Sequence, residues 1–231
     1  MVVIPAGHFV MGSEVGEQDR GHDEGPTRQV VVGKPFAASK FDITFDQWEA
    51  CADHGPCAQQ IRDYGWGRKR QPVISVSWND AKTYVSWLSE QTGGKYRLLT
   101  EAEWEYLARL GNSEPFDLAK FAGSGMANCD GCGSKWDSLK PAPVGSFPAN
   151  ALGLFDLQGN VWQWLEDCWT DGYDGAPSDA SAVERADCKR RVLRGGAWNY
   201  ELNGIRPAFR YAKSPLIRDS SYGFRVARDL L

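Results

Sequence analysis

The end of the chain carries the pattern that most restricts how it can fold. Residues 194–198, Arg-Gly-Gly-Ala-Trp, place two glycines between an arginine and an alanine–tryptophan pair, and residues 223–226, Gly-Phe-Arg-Val, form a second frame. Because glycine tolerates positive φ and close backbone approach, the first frame predicts backbone folded tightly beneath an aromatic side chain. Residues 199–218 show neither a helical nor a strand period, which predicts a long ordered loop. Loops of this length inside compact domains are usually functional.

Length and charge exclude several classes of protein. A chain of 231 residues suits one domain, and we expect residues 1–231 to form it. The net charge of −4 argues against a nucleic-acid binder, so no nucleic-acid partner is expected. No apolar run approaches the roughly eighteen residues that a membrane-spanning helix needs, and no membrane span is expected. Nothing in the sequence fixes the oligomeric state.

The cysteines fall as three close pairs, which predicts three disulfides and hence a periplasmic or secreted protein. Reduced, buried thiols in a cytosolic protein are the alternative. A zinc site is less favoured, because none of the three histidines lies at ligand spacing from a cysteine pair. The predicted pairs are Cys51 with Cys57, Cys129 with Cys132, and Cys168 with Cys188.

Regular structure is predicted in short segments separated by loops. Strands are expected at both ends of residues 1–12, at 29–32 and at 41–44, with a charged surface loop over 13–28. Residues 153–164 predict a turn that leads into another strand. Three helices follow from capping signals and apolar spacing. They are expected to begin at the N-caps Thr44, Asn79 and Thr100 and to end near Cys51, Gly93 and Gly111.

Six stretches of the chain resemble the formylglycine-generating enzyme family, also called the sulfatase-modifying factor family. They include Gly-Asn-Val-Trp-Gln-Trp at 159–164 and both terminal frames, and they follow the family's order along the whole chain. The resemblance implies an irregular α+β fold that is related to C-type lectins and low in regular secondary structure. The stretches are residues 4–12, 72–73 with 76–81, 96–105, 159–164, 194–198 and 223–225.

The resemblance also marks the positions at which copper-dependent relatives bind their metal. Those relatives carry a serine after the paired glycines and two cysteines in the loop that follows. The matching residues here are Ala197, Tyr200 and, for the second cysteine, Ile205 or its neighbour. Cu(I) is soft and prefers thiolates, which a phenol and a hydrocarbon cannot replace. We therefore expect neither bound copper nor formylglycine formation.

Three other branches of the family differ in what they imply. Iron-dependent sulfoxide synthases use histidines of an extra domain, which this chain lacks, and its three histidines are scattered. Periplasmic pyoverdine-maturation proteins keep the fold without the copper cysteines and are associated with oxidation of a small peptide-like chromophore. Variable proteins of diversity-generating retroelements share both terminal frames, and their intervening surface residues are diversified.

Two functions therefore stay open. The first is an exported maturation or oxidation factor, an oxidoreductase of the pyoverdine-maturation type, acting on a small or peptidic substrate beneath residues 199–218. The second is a non-catalytic, C-type-lectin-like protein that binds a ligand with the same loop. The first is preferred only by analogy with relatives that lack the cysteines. The sequence names neither the substrate nor the ligand.

The family's pocket falls on side chains that no periodic pattern explains as core, although Phe209 and one arginine are expected to be structural. Aromatic and arginine side chains dominate binding hot spots, which supports a ligand-binding surface. Tyr200, Glu201 and Arg210 are the catalytic candidates, but a phenol with a pKa near 10 needs a strong perturber to act at neutral pH. The predicted ligand-binding residues are Trp198, Tyr200, Glu201, Arg206, Phe209, Arg210, Tyr211 and Arg218.

The resemblance implies a structural calcium ion near residues 159–164, held by backbone carbonyls with carboxylate or amide oxygens. The family's usual glutamate is Gln163 here, which removes one charge and predicts weaker affinity; a metal-free turn closed by Asn160 is the alternative. The predicted ligands are Asp156, Gly159, Val161 and Gln163, with a second, weaker site near Asn128 and Asp137.

Large buried side chains are expected on the family's framework positions. Core packing is the preferred role for Trp162, Trp164 and Trp198, with a pocket lining as the alternative. Arg194 and Arg225 are expected to pair with internal carboxylates such as those of residues 101 or 103.

Overall fold

The computed structural model describes residues 1–110 and 116–230, and within them ten short strands form three small sheets. Three α-helices pack beside the sheets, and much of the remaining chain is turns and irregular backbone. The strands are β1 (Val2–Ile4), β2 (Gly7–Met11), β3 (Arg28–Val32), β4 (Phe36–Ala38), β5 (Tyr96–Leu98), β6 (Trp162–Cys168), β7 (Arg191–Arg194), β8 (Tyr211–Lys213), β9 (Tyr222–Gly223) and β10 (Val226–Asp229). The helices are α1 (Phe45–His54), α2 (Trp78–Thr92) and α3 (Glu101–Arg109). The mixed α+β class and its sparse regular structure are as predicted.

Strand pairing joins distant parts of the sequence. The first sheet has the order β1-β4-β10-β5, so the last strand lies between two strands from the first half of the chain. Strands β2 and β3 form a separate hairpin-like pair. The third sheet has the order β8-β7-β6-β9, in which β9 runs parallel to β6. This third sheet carries both terminal frames and positions the loop between them.

The helix starts follow the capping signals with one correction. Thr44 and Thr100 are N-caps, as predicted, and each forms a capping box, which the sequence predicted at Thr100 alone. The prediction that Asn79 caps α2 is wrong: Ser77 is the N-cap, because its hydroxyl accepts from the Asp80 amide while the Asp80 carboxylate accepts from the Ser77 amide. A reciprocal box satisfies two end groups at once, whereas Asn79 would satisfy one.

The helix ends agree in part. Gly93 ends α2 in the left-handed region, as expected of a C-terminal glycine. Helix α1 continues past Cys51 to His54. Leu110 follows the last turn of α3, and the predicted stop at Gly111 lies outside the described residues.

Three loop and strand predictions need correction. No strand forms over 41–44; the chain pairs earlier, at β4, and Thr44 is extended as a helix cap with an isolated bridge to Pro72. Residues 13–28 are not wholly a surface loop, because Glu24 is buried. Residues 199–218 are not uniformly irregular, since they contain a 3-10 turn at Leu202–Ile205 and strand β8.

The core is built largely from tryptophans, as predicted for the framework positions. Trp48, Trp104, Trp162 and Trp164 are fully buried and fill two apolar clusters on either side of the third sheet's β6. Indole N–H groups in this core find acceptors, for example Trp164 Nε1 on the Val76 carbonyl at 2.9 Å. Trp48 and Trp104 likewise have acceptors for their Nε1–H groups, which offsets the cost of burying them.

The three predicted disulfides are confirmed. Cys51 pairs with Cys57, Cys129 with Cys132, and Cys168 with Cys188. Each closes a local loop, and the longest, between Cys168 and Cys188, spans a sequence separation of 20. None of the helices in the described ranges combines the length and the apolar character that crossing a bilayer requires.

Replacing Cys168 and Cys188 together by alanine is expected to lower the free energy of unfolding by about 3 kcal/mol, because the cross-link restricts the unfolded chain over a 20-residue separation. Urea denaturation of the double variant and the wild-type protein measures the difference. An unchanged midpoint and slope would contradict it.

Candidate functional site

Four aromatic side chains meet where residues 199–218 cross the third sheet. Trp162 stacks on Tyr211 with ring centroids 4.9 Å apart and meets the edge of Tyr200 at 5.0 Å. Phe209 contacts both Trp162, at 6.0 Å, and Tyr200, at 5.7 Å. Trp162 is buried, whereas the other three rings are half-buried. We call these four residues the aromatic cluster.

The strands place these rings side by side. Trp162 begins β6 and Tyr211 begins β8, the two strands that flank β7. Tyr200 reaches the cluster because the chain reverses just before it, through two glycines with φ of 99° and 77°. A Cβ atom on Gly196 would lie only 2.9 Å from the Ile205 side chain, and one on Gly204 would lie 2.4 Å from the Tyr200 ring. The paired-glycine frame therefore folds the loop back as predicted.

Two tyrosines of this region, Tyr200 and Tyr222, have raised pKa values. Burial, followed by the neighbouring Tyr211 and Glu201, raises the pKa of Tyr200. Burial and a hydrogen bond with Tyr211 raise the pKa of Tyr222. An acid–base role at neutral pH needs the opposite shift, so these phenols are suited to donating hydrogen bonds rather than to accepting protons.

A second aromatic group runs from Trp198, which is buried as predicted, to a residue exposed to solvent. Trp198 donates its Nε1–H to the Ser220 carbonyl at 3.3 Å and meets Trp66 edge-on at 5.3 Å. Trp66 in turn stacks on Tyr64 at 5.0 Å, and Tyr64 is exposed. We call Tyr64, Trp66 and Trp198 the aromatic wall. The sequence did not single out Tyr64 or Trp66, whose only signal was a pair of aromatics around one glycine in a charged loop.

Arg218 lies at the end of this wall and is accessible. Its Nε and Nη2 donate to the two Asp80 carboxylate oxygens at 2.6 and 2.7 Å, while about half of its side chain remains exposed. Glu201 is also exposed. Both predicted residues therefore border the surface formed by the aromatic cluster and wall.

Arg206 and Arg210 do not join that surface, in contrast to their predicted ligand-binding role. Arg206 is buried and donates to the Glu24 carboxylate, with Glu17 at 3.0 Å. Arg210 is buried and binds both oxygens of Glu101, at 2.7 and 2.9 Å. Their guanidinium groups hold the loop onto the domain, which also removes Arg210 from the catalytic candidates. Two arginines of this loop, Arg206 and Arg210, are therefore structural, whereas the sequence predicted one.

Arg210→Ala is expected to lower the free energy of unfolding by about 3–5 kcal/mol, because it leaves the buried Glu101 carboxylate short of a partner. Arg218→Ala, which removes the same side chain from an exposed pair, is expected to cost less than about 1 kcal/mol. Chemical denaturation of both variants provides the comparison. Equal losses would show that the two arginines do not differ in role.

The residues at the copper positions do not fit copper. Ala197 is buried, Tyr200 belongs to the aromatic cluster, and Ile205 packs in a small apolar group with Cys129 and Cys132. All six cysteines of the chain are consumed by the three disulfides. No thiolate is therefore left at the position where copper-dependent relatives hold their ion.

Arg225 occupies the surroundings of the predicted calcium ligand Gln163. The Gln163 Oε1 accepts from Trp104 Nε1 and from Arg225 Nε, both at 2.7 Å, and its Nε2 donates to the Asp156 carbonyl at 2.8 Å. A guanidinium thus satisfies the acceptor that would otherwise face a cation, so Gln163 does not fit as a calcium ligand. Arg225 pairs with Asp42 rather than with the carboxylates predicted from the sequence.

The other predicted calcium ligands are engaged separately. The Gly159 carbonyl accepts from the Val161 amide at 3.1 Å. The Asn128 Oδ1 accepts from Ser134, and the Asp137 carboxylate accepts from the amides of residues 131 and 133. Asp156 alone keeps a buried oxygen, Oδ1, without a partner. Within the described parts of the chain, no three His, Cys, Asp or Glu side chains form a group able to hold a metal ion. Calcium binding stays a prediction.

In calcium-free protein, burial raises the pKa of Asp156 to about 6, against opposing contributions from the Gly145 amide and Arg225. The unfolded value is near 3.9, so Asp156 stabilises the fold fully below pH 4 and this contribution is lost as pH rises through 6. The stability of wild type relative to Asp156→Asn should therefore fall by about 2–3 kcal/mol between pH 4 and 7.5.

Thermal or urea unfolding of both proteins in a chelator measures that difference. A pH-independent difference would contradict it. Adding millimolar calcium at pH 7.5 tests the calcium prediction, because an ion on Asp156 would restore the lost stability in the wild-type protein and not in Asp156→Asn.

Comparison with known proteins relates this geometry to a family. The model of the Sulfatase-modifying factor enzyme 1-like domain matches residues 1–230. Over 299 residues the chain is 28% identical to the formylglycine-generating enzyme of Thermomonospora curvata, covering 100% of this chain and 94% of that protein. Over 263 residues it is 29% identical to the Serine/threonine-protein kinase pkn1 of Chlamydia caviae, covering 99% of this chain. The chain spans only 38% of that kinase's length.

Two solved structures share the fold along nearly the whole chain. PvdO from Pseudomonas aeruginosa superposes with a TM-score of 0.89 and 39% identity, covering 99% of this chain and 93% of that one. Treponema denticola variable protein 1 superposes with a TM-score of 0.76 and 22% identity, covering 99% and 94%. The second likeness concerns the fold alone.

Proposed function

Because this chain belongs to the sulfatase-modifying factor family, we propose that it is an exported maturation factor that binds a small or peptidic substrate on its aromatic cluster. The 39% identity to PvdO supports the proposal, as does the resemblance of the sequence to pyoverdine-maturation proteins. The three disulfides support an oxidising compartment, the periplasm or the exterior.

One observation carries the proposal. The position of a copper cysteine is taken by Tyr200, whose ring closes a group of four aromatic side chains that the fold leaves half-open. Half-buried aromatic rings bind planar or peptidic groups by stacking, at about 0.5–1.5 kcal/mol for each ring pair beyond the area that they bury. At the position where copper-dependent relatives bind their metal, this chain thus carries a ring suited to contact a substrate.

A lectin-like binding protein is the second candidate. The exposed Tyr64 and the half-buried Trp66 of the aromatic wall favour it, because exposed apolar patches commonly mark recognition surfaces. Such a protein would bind its ligand and release it unchanged. A maturation factor would change the mass of its substrate.

The decisive test replaces PvdO with this protein. The chain, directed to the periplasm of a Pseudomonas aeruginosa strain that lacks PvdO, is expected to restore mature pyoverdine, measured by mass spectrometry of the culture medium. Tyr200→Ala is expected to reduce the product about tenfold, because it removes the ring that contacts the other three members of the cluster. Tyr200→Phe keeps the ring and should retain most of the activity.

Tyr96→Ala is the matched control, since Tyr96 is a half-buried tyrosine on β5 away from the cluster. It should keep the activity at a comparable cost in stability. Wild-type levels of product with folded Tyr200→Ala would refute the role of the cluster. Failure of folded, exported wild-type protein would favour the lectin-like candidate.

A further inference from the structure

We propose that Arg62, Ser75 and Arg218 form an oxyanion subsite for a carboxylate or phosphate group carried by the substrate. These residues line a cavity of about 340 Å³ at the end of the aromatic wall. The inference rests on the proposed function for the statement that the ligand is the substrate. The negative charge of the bound group is inferred from the cavity alone.

Ser75 supplies the first observation. Its side chain is buried, with 6% of the residue exposed, and its hydroxyl has no hydrogen-bond partner. An unsatisfied buried hydroxyl is costly unless a ligand or water completes it. Its backbone is also unusual, since φ is 58°, in the left-handed region that glycine occupies without strain. A serine in this backbone conformation that also lines a cavity is typical of a functional site.

Arg218 is oriented before any ligand arrives. Two of its nitrogens are held by Asp80, which also caps α2, so the guanidinium is fixed against the helix start. Nη1 has no partner among the described residues, and Arg218 lines the cavity. A preorganised donor loses little freedom on binding an anion.

Arg62 supplies the net positive charge of the cavity, because the charge of Arg218 is paired with Asp80. It also lines the cavity, is exposed, and makes no hydrogen bond or ion pair within the described structure. None of the described residues that line the cavity is acidic. The acidic neighbours are engaged elsewhere: Asp63 accepts from the Gly65 amide, and Asp219 accepts from Ser221. Arginine forks match the geometry of carboxylates and phosphates.

The cavity adjoins the aromatic surface. Tyr64 lines the cavity and belongs to the aromatic wall, whose other end is Trp198. Residues 218–222 link the two regions, because Arg218 faces the cavity while the Ser221 carbonyl accepts from the Trp162 amide. Three residues of extended chain span at most about 11 Å. The anionic group of the substrate should therefore lie within a few residues of the part that contacts the aromatic cluster.

Titrations with small probes test the subsite directly. Glutarate and inorganic phosphate supply the two oxyanions, and glutaramide is the neutral match for glutarate. Binding is followed by the Nε–H resonances of Arg62 and Arg218 in ¹⁵N-labelled protein. We expect saturable shifts with glutarate or phosphate and none with glutaramide; the tighter of the two anions identifies the group. Equal shifts with glutaramide would overturn the proposal.

Variants separate binding from folding. Arg62→Ala is expected to weaken anion binding about tenfold, whereas Arg185→Ala, an exposed arginine outside the cavity, should leave it unchanged. Ser75→Gly should weaken binding about fivefold while raising the melting temperature, because glycine relieves the positive φ and removes the donor. Unchanged binding in both Arg62→Ala and Ser75→Gly would overturn the subsite.

These outcomes are independent of the maturation assay. Arg62-dependent anion binding without restored pyoverdine would keep the subsite and reject the maturation role. Restored pyoverdine with no anion binding would reject the subsite alone.

Discussion

The fold depends on one fully buried guanidinium, that of Arg194. It contacts Glu101 at 2.8 Å and Glu105 at 3.0 Å, and it donates to the Tyr173 hydroxyl at 2.7 Å. Burying a charge is tolerated only when partners surround it, since removing one partner costs several kcal/mol. Burial alone would raise the pKa of Glu101, but Arg210 and Arg194 outweigh it and lower that pKa. Helix α3 and the C-terminal loop are thereby locked together.

A second buried arginine, Arg225, is also surrounded by groups that accept its hydrogen bonds or carry negative charge. It donates to Gln163 and to the Phe155 carbonyl, and it lies 3.4 Å from the fully buried Asp42. Burial raises the pKa of Asp42 well above its usual range, against the attraction of Arg225, and nearby Asp156 raises it further. A glutamine at position 163 suits this arrangement, because it accepts from a cation without adding a third buried carboxylate. At Gln163, a guanidinium thus takes the place that the resemblance predicts for a cation.

Because several arginines form buried ion pairs, their guanidinium groups are not available at the candidate site. Arg206 and Arg210 are buried against Glu24 and Glu101, so these two guanidinium groups do not border the half-buried rings of the aromatic cluster. Two cationic side chains, Arg62 and Arg218, border the cavity, and Lys213 lies with its Nζ 4.9 Å from the Tyr211 ring of the aromatic cluster. A substrate with a flat or peptidic part and one anionic group matches this arrangement. The disulfides and the glycine turn hold the surface in place.

The sequence by itself determined much of what rests on local interactions. The N-caps Thr44 and Thr100, the tight turn at the paired glycines and the three disulfides each depend on residues close in the chain, and all were predicted, whereas the equally local N-cap of α2 at Ser77 was not. The family motifs fixed the α+β class and the position of the aromatic residues. Tertiary structure decided which arginines face inward, because Arg206 meets Glu24 across 182 residues. Ser75 carried no pattern at all: its strain and its unpaired hydroxyl arise from neighbours that only folding brings together.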